Sequence, residues 1–259
     1  MDHQSNNGDK SVAGAQAIER AVHLLRLIAR FEVVGARLTD LVSLSGMKQP
    51  TVRRILRALI EAELVAQSQE TKRYAIGPLP FELGLASPTV NHRLIARYRP
   101  MLDRLAQGSG DTIYLIMRSG FDSVCVARVE GSYPIKMLLL EVGGRRPLGV
   151  GAASQALLAA QPDDVVDVAL KVNESELSYY EGLTATQLRR EIEQTRRRGY
   201  SVNENALVPG VSAIGKVIPN PGGQPVAAVS ISAISSRISG KRLPELVALL
   251  EREIRSLLE

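Results

Sequence analysis

SLSGMKQPTVRRILRAL, residues Ser43 to Leu59, has the pattern of a tight turn leading into an amphipathic helix. Gly46 falls where two helical patterns meet, and a short inter-helix turn needs a residue tolerant of positive φ. Pro50 falls in the first turn of the second helix, where its missing N–H costs nothing. Val52, Ile55, Leu56, Leu59 and Ile60 recur at helical spacing as one apolar stripe. A step of about 100° per residue sets Pro50, Arg53, Arg54 and Arg57 on the opposite arc. No Asp or Glu occurs between Leu41 and Ile60. A helix that buries an apolar stripe and shows arginines suits a DNA major groove, where guanidinium groups neutralise phosphates or make bidentate bonds to guanine. Taken alone, the same pattern fits a solvated basic face in some other helical domain, so the flanks decide.

Those flanks supply the rest of a DNA-binding unit. Ala15 to Arg30 reads as a first amphipathic helix, with Ile18, Val22, Leu25 and Ile28 on one face and Ala21 and Leu24 alongside. Thr39 offers an N-cap for a short second helix, Asp40 to Ser45. The recognition helix ends near Ala62. Leu64 to Gln67 and Arg73 to Ile76 are then β-like runs joined by a polar turn with Glu70, Thr71 and Lys72. Helix, helix, recognition helix and hairpin make a winged helix-turn-helix. Gln49, Pro50 and Thr51 open the recognition helix, near bases or phosphate, and Arg53, Arg54 and Arg57 face the groove. Lys72 and Arg73 at the wing tip are candidates for phosphate or the minor groove, against the plainer reading of a solvated hairpin.

At 259 residues and 45% hydrophobic content the chain can build two modest domains, or one large one. No apolar run approaches the ~20 residues of a membrane span, and the polar start MDHQSNNGDKSVAG, residues 1–14, reads as a disordered tail and not a signal peptide. A formal charge of +5 and a pI near 9.5 fit nucleic-acid binding without requiring it. The single cysteine, Cys125, excludes an intramolecular disulfide framework and is compatible with the cytoplasm, the expected location. Its place in the alternating run SVCVARV marks a small core residue.

The second half changes character. From Phe81 to Gln107 the chain reads as a connector, with Leu94, Tyr98, Met101, Leu102 and Leu105 at helical spacing, an interruption or kink at Pro100 and a hinge at Ser87-Pro88-Thr89. The pattern breaks at Gly108-Ser109-Gly110. Thr112 to Arg118 and Ser123 to Val129 read as hairpin strands, and Ile135 to Val142 as a third strand, broken by Gly143 to Pro147. Ala152 to Ala160, Pro162 to Val172 and Thr184 to Arg198 read as helices, the last stopped by Gly199. Val211 to Ile218 and Pro225 to Ala233 are strands, and Leu243 to Leu258 a final amphipathic helix. Strands and helices mix without regular βαβ alternation, so this half is expected to be α+β around a mainly antiparallel sheet.

No catalytic set proposes itself. His3, His23 and His92 have no metal-type spacing with Cys125, no phosphate-binding glycine motif occurs, and the second half holds no histidine after His92. No enzyme activity, metal or cofactor is expected. The stretch PLGVGAAS, Pro147 to Ser154, puts small residues before a helix, which exposes backbone N–H groups and the positive end of the dipole to a carboxylate. Ser230 and Ser232 share one sheet face by alternation and could orient a polar ligand in an apolar cavity. The alternative stands level: small residues for close packing, and serines in solvent.

At this point the sequence resembles the IclR family of bacterial transcriptional regulators, from about Ala15 to the C-terminus. The likeness runs through AIERAVHLLRLI, SGMKQPTVRRILRALIEAELV and RYAIGPLPFELG, then RRPLGVGAASQALLAA, GYSVNENALVPGVSAIG and PVAAVSISAISSRI. The resemblance implies a winged helix-turn-helix over 15–86, a linker helix over 87–108 and an effector-binding domain of GAF-like or profilin-like fold over 109–259. It also implies homodimers, pairing further into tetramers, that bind palindromic double-stranded operators and respond to small organic or aromatic acids. By matching motif positions, Ala152, Ala153, Asn203, Val217, Ser230 and Ser232 are the effector-pocket residues, with Leu138 and Leu140 as apolar lining. Departures are plain. Gln49 and Pro50 stand where the family often has lysine and serine, and Arg53 where histidine is common. Gly149 replaces a frequent histidine, Ser154-Gln155 the usual Gly-Lys pair, and Asn203 an acidic residue, so a less charged pocket is expected. Two rivals remain. One is an enzyme with an appended winged helix, such as a biotin ligase, to whose glycine-arginine loop Gly143-Gly144-Arg145-Arg146 bears a faint likeness without the longer alternation or a following Trp. The other is a sensor module whose winged helix binds protein.

Overall fold

The protein, seen as a computed structural model, is described over residues 15–31, 34–86, 92–180, 183–204, 207–220 and 222–259. The expected tail over 1–14 and the hinge Ser87-Pro88-Thr89 lie outside the described residues. The chain forms two compact units, Met1–Pro88 and Thr89–Glu259.

The first unit is a helix-turn-helix with a wing. Helices α1 (Gln16–Ile28), α2 (Leu38–Ser45) and α3 (Gln49–Glu61) precede a hairpin of β1 (Val65–Gln67) and β2 (Tyr74–Ile76), then a short α4 (Leu79–Leu85). Leu24, Leu27 and Ile28 of α1, Leu41 of α2, and Val52, Leu56 and Leu59 of α3 pack with Val65 and Tyr74. Each such buried leucine contributes roughly 1.5–3 kcal/mol relative to exposure. Gly46 closes α2 in the left-handed conformation at φ 64°, as the turn requires. Three expectations shift. The buried face of α1 is Leu24, Leu27 and Ile28, and the neighbouring arc of Ile18 and Val22 stays 67% and 38% exposed. Thr39 lies inside α2 and is not its cap; the Asp40 carboxylate instead reaches back to accept from the Arg37 N–H at 3.1 Å. Helix α4 falls within a stretch expected to belong to wing and connector.

In the second unit α5 (His92–Ser109) runs unbroken through Pro100. Strands β3 (Thr112–Ser119), β4 (Asp122–Val129) and β5 (Arg145–Pro147) follow, then α6 (Ala152–Ala159), α7 (Asp163–Leu177) and α8 (Ala185–Arg198). Strands β6 (Ser201–Glu204), β7 (Val211–Pro219) and β8 (Pro225–Ile234) lead to α9 (Arg242–Leu258). The six strands form one antiparallel sheet in the order β5-β4-β3-β8-β7-β6. Tyr98, Met101, Leu102 and Leu105 of α5 and Leu246, Leu250 and Ile254 of α9 pack on one face, so α5 belongs to this unit and its apolar stripe is consumed there. Helix α6 lies on the other face, backed by α7 and α8.

The expected third strand, Ile135 to Val142, does not form. Both edges of β3 are taken by β4 and β8, and the start of β4's outer edge is taken by Arg145–Pro147, so the segment does not pair with its hairpin neighbours. Side chains satisfy its backbone instead. Met137 N–H donates to Thr112 Oγ1 at 3.1 Å, Leu139 N–H donates to the Tyr114 hydroxyl at 3.0 Å, and that hydroxyl donates to Met137 O. The strand that does pair with β4 is Arg145–Pro147, read in the sequence as a break.

Candidate nucleic-acid interface and ligand cavity

On α3 the helix start and the arginine arc face outward. Gln49, Pro50, Arg53, Arg54 and Arg57 are exposed and Thr51 is half-buried. Arg53, Arg57 and Lys72 line one groove between α3 and the wing, whereas Arg54 lies outside it. Arg57 Nε meets Glu61 Oε1 at 3.0 Å with both side chains mostly in solvent, a pair worth about 0.5 kcal/mol and easily given up to phosphate. Lys72 takes φ 56° at the wing turn and stays exposed. Arg73 differs from the expectation of a tip residue. It is half-buried, and its Nη1 donates to Gly35 O at 2.8 Å. Beside it Tyr74 and Ala36 exchange backbone bonds of 2.8 and 2.9 Å, so Arg73 helps fix the wing to the segment after α1.

The second unit holds a cavity between the sheet and the start of α6, and every strand contributes to its wall. Arg146 comes from β5, Ser123 from β4, Tyr114 and Ile116 from β3, Ser230 and Ser232 from β8, Ala213 from β7 and Asn203 from β6. Gly151, Ala152, Ala153 and Ser154 close it at the helix end, and Leu139, Leu140, Leu207 and Val208 close it at the loops. The α6 N-cap is Gly151, which has no side chain to cap with, so the first-turn N–H groups lack intrahelical partners. Ser230 and Ser232 are 4% and 5% exposed, and neither hydroxyl has a hydrogen-bond partner among the described residues. They do not face solvent. Burial pushes the Tyr114 phenol above its ordinary pKa, against the lowering effect of its backbone hydrogen bonds.

Close packing is also present, a few ångströms away. Gly215 of β7 lies directly beneath α6: a Cβ there would fall 2.6 Å from Ala152 C and O. The buried Ser201 hydroxyl donates to the same Ala152 carbonyl at 2.6 Å. The small residues thus serve both readings, with one side of the α6 start pressed on β7 and the other open to the cavity.

Six of the expected effector residues meet at this cavity: Leu140, Ala152, Ala153, Asn203, Ser230 and Ser232. Two do not. Leu138 is 49% exposed, because without a strand the segment turns Leu139 and Leu140 inward instead. Val217 shares the sheet face of Ala213 but lies four residues on, roughly 13 Å along the strand. It lines a separate open groove with Ala156, Ala159 and Leu258. Tyr114, Ser123 and Arg146 were missed. Tyr114 sits opposite Ser230 across the β3–β8 pair, a register that only the folded sheet reveals. Arg146 lay within a resemblance block and was legible as the charged residue nearest the small-residue turn.

Residues 17–69 match the family model for the IclR helix-turn-helix domain, and residues 87–257 that for the bacterial transcriptional regulator IclR C-terminal domain. Among curated proteins, the HTH-type transcriptional regulator KipR of Bacillus subtilis is 30% identical over 213 residues, covering 81% of this chain and 83% of the relative. The transcriptional repressor IclR of Escherichia coli is 28% identical over 240 residues, covering 91% and 86%. The transcriptional repressor AllR of Klebsiella pneumoniae is 29% identical over 231 residues, covering 88% and 84%. Among solved structures, an IclR-type regulator from Silicibacter sp. TM1040 aligns with a TM-score of 0.75 at 23% identity, covering 93% of this chain and 94% of its own; this likeness concerns the fold.

Proposed function

Because the chain belongs to the IclR family of bacterial transcriptional regulators, we propose that it is a homo-oligomeric repressor, working in the cytoplasm, that grips a palindromic operator with α3 and responds to a small carboxylate bound over its sheet. The family binds DNA through its helix-turn-helix and is not enzymatic. Among the described residues no helix is long and apolar enough to cross a membrane. The domain plan proposed is a DNA-binding domain over 15–86, a linker helix over 87–108 and an effector domain over 109–259. The relatives named as repressors from E. coli and K. pneumoniae support the sign.

The observation that carries the sensing half is the pair of buried, unpartnered hydroxyls of Ser230 and Ser232 beside the uncapped start of α6. A carboxylate there accepts from both hydroxyls and from the helix N–H groups. Thermal-shift screening against organic and aromatic acids tests it. A stabilising acid should lose at least about tenfold in affinity when Ser230 and Ser232 are both changed to alanine. A hit indifferent to that change, and to Ala152→Leu, would place the ligand elsewhere.

The DNA-reading half needs two copies, since one winged helix contacts too few base pairs for useful specificity. The exposed arc of Ile18 and Val22 on α1 is the apolar surface proposed for pairing, because the stripe of α5 is already buried in its own unit. Light scattering at micromolar concentration should give a dimer or tetramer, and Ile18→Asp with Val22→Asp should reduce the mass. A strict monomer for the unaltered protein would rule the assembly out.

A further inference from the structure

The carboxylate reading just given uses one end of the cavity; the other end holds a cation without a counterion. Arg146 lines the cavity, half-buried, and its guanidinium donates to Leu139 O. Among the described residues it has no carboxylate partner, and none of the described lining residues is acidic. Its neighbours differ. Arg145 pairs with Asp122 at 2.8 Å, and Arg128 with Glu141 at 3.0 Å. A half-buried cation without an anion is only partly solvated, and a ligand anion in the cavity would give it a partner.

Tyr114 sets the distance between the two ends. Ser230 lies opposite its Cα in the β3–β8 register. Leu139, whose carbonyl holds Arg146, donates its N–H to the Tyr114 hydroxyl at 3.0 Å. Ser230 therefore stands at the base of the tyrosine, with Ser232 further along the strand opposite Thr112, and the guanidinium lies on the Leu139 side, toward the tyrosine's tip. Ile116, Leu140 and Val150 supply apolar wall beside that span. Burial pushes the phenol further above its ordinary pKa, and its hydroxyl is already engaged by Met137 O and the Leu139 N–H, so it offers Arg146 no anion.

We infer that the cavity takes a short dicarboxylate, one carboxylate on Ser230, Ser232 and the α6 start, the other on Arg146, with an apolar spacer between. The inference rests on the carboxylate reading above and extends it by a second anionic subsite.

Calorimetry on the full-length protein tests it with matched probes: adipate against hexanoate, and glutarate against valerate. The dicarboxylate of a pair should bind at least about tenfold tighter than the monocarboxylate. Arg146→Gln should bring the two within about twofold while leaving the monocarboxylate where it was, and Arg146→Lys should keep part of the preference. The monoamide of adipate, which needs no protein variant, should bind the unaltered protein like hexanoate. Equal binding of adipate, its monoamide and hexanoate would overturn the second subsite and leave the single-carboxylate pocket standing. A parallel loss of both ligand types in Arg146→Gln would make Arg146 a wall support and overturn it too. Failure of every acid to bind the unaltered protein would overturn both readings.

Discussion

Changing Arg53, Arg54 and Arg57 together to alanine should lower affinity for operator DNA selected from random duplexes by at least about a hundredfold. Each arginine that reads a guanine or clamps a phosphate is worth ~1–3 kcal/mol, and the three stand on one exposed arc of α3. The salt dependence should flatten, since each lost phosphate contact removes about one unit of its slope. Folding should hardly change. The apolar stripe of Val52, Leu56 and Leu59 is untouched, and the one ion pair lost among the described residues, Arg57–Glu61, is solvent-exposed. Gel shift and a melting curve on the same preparation check both halves. A variant that melts like the parent and binds within tenfold of it would show that another surface reads the DNA.

The second large effect should come from a single methyl group. Gly215→Ala places a Cβ 2.6 Å from Ala152 C and O and 2.7 Å from Ala153 N. These are backbone atoms in a helix start held by Ser201, so no rotamer change makes room. Either α6 lifts or β7 sinks, and the core on both sides of the sheet is disturbed. A loss of about 3 kcal/mol is expected, lowering the melting temperature of a unit this size by about 6–12 °C. Gly223→Ala is the fair comparison. There φ is +78° but nothing lies within 4 Å, so only the backbone preference is lost, about 1 kcal/mol. Calorimetric melting of both variants separates crowding from conformation. Equal melting points would mean that the α6–β7 contact yields easily.

The winged helix was readable because its signals are local. Gly46, Pro50 and a 3.6-residue apolar period each act within a few residues of chain. Helix α4 was hidden by Pro80 and Gly84, poor helix formers. The two arcs of α1 could not be ranked, since Ile18 and Leu24 are alike as hydrophobes and only the position of α2 and α3 selects one. In the second unit the limit is register. Ile135 to Val142 has strand composition, but whether an edge is free depends on where β4 and β8 dock. That one unknown carried Leu138 outward. Val217 lies off this cavity for a related reason: alternation tells which face a residue takes, not how far along the sheet the cavity extends. That Ser230 and Ser232 share one cavity wall was legible, because a common face is a matter of alternation alone. β6, four residues without apolar alternation, exists because β7 offers it a partner.

Strand β8 has a consequence for how such a regulator diverges. Its odd-numbered residues Ala227, Val229, Ile231 and Ala233 pack in the core shared with α5 and α9, while Ser230 and Ser232 border the cavity. None of these six residues serves both sides. On the sensing role proposed above, exchanges at Ser230 and Ser232 would alter the cavity wall without repacking the core under α5 and α9, and exchanges at Ala227, Val229, Ile231 and Ala233 would do the reverse. The genetic hallmark of that separation would be two classes of regulatory allele interleaved residue by residue along a single stretch of ten codons.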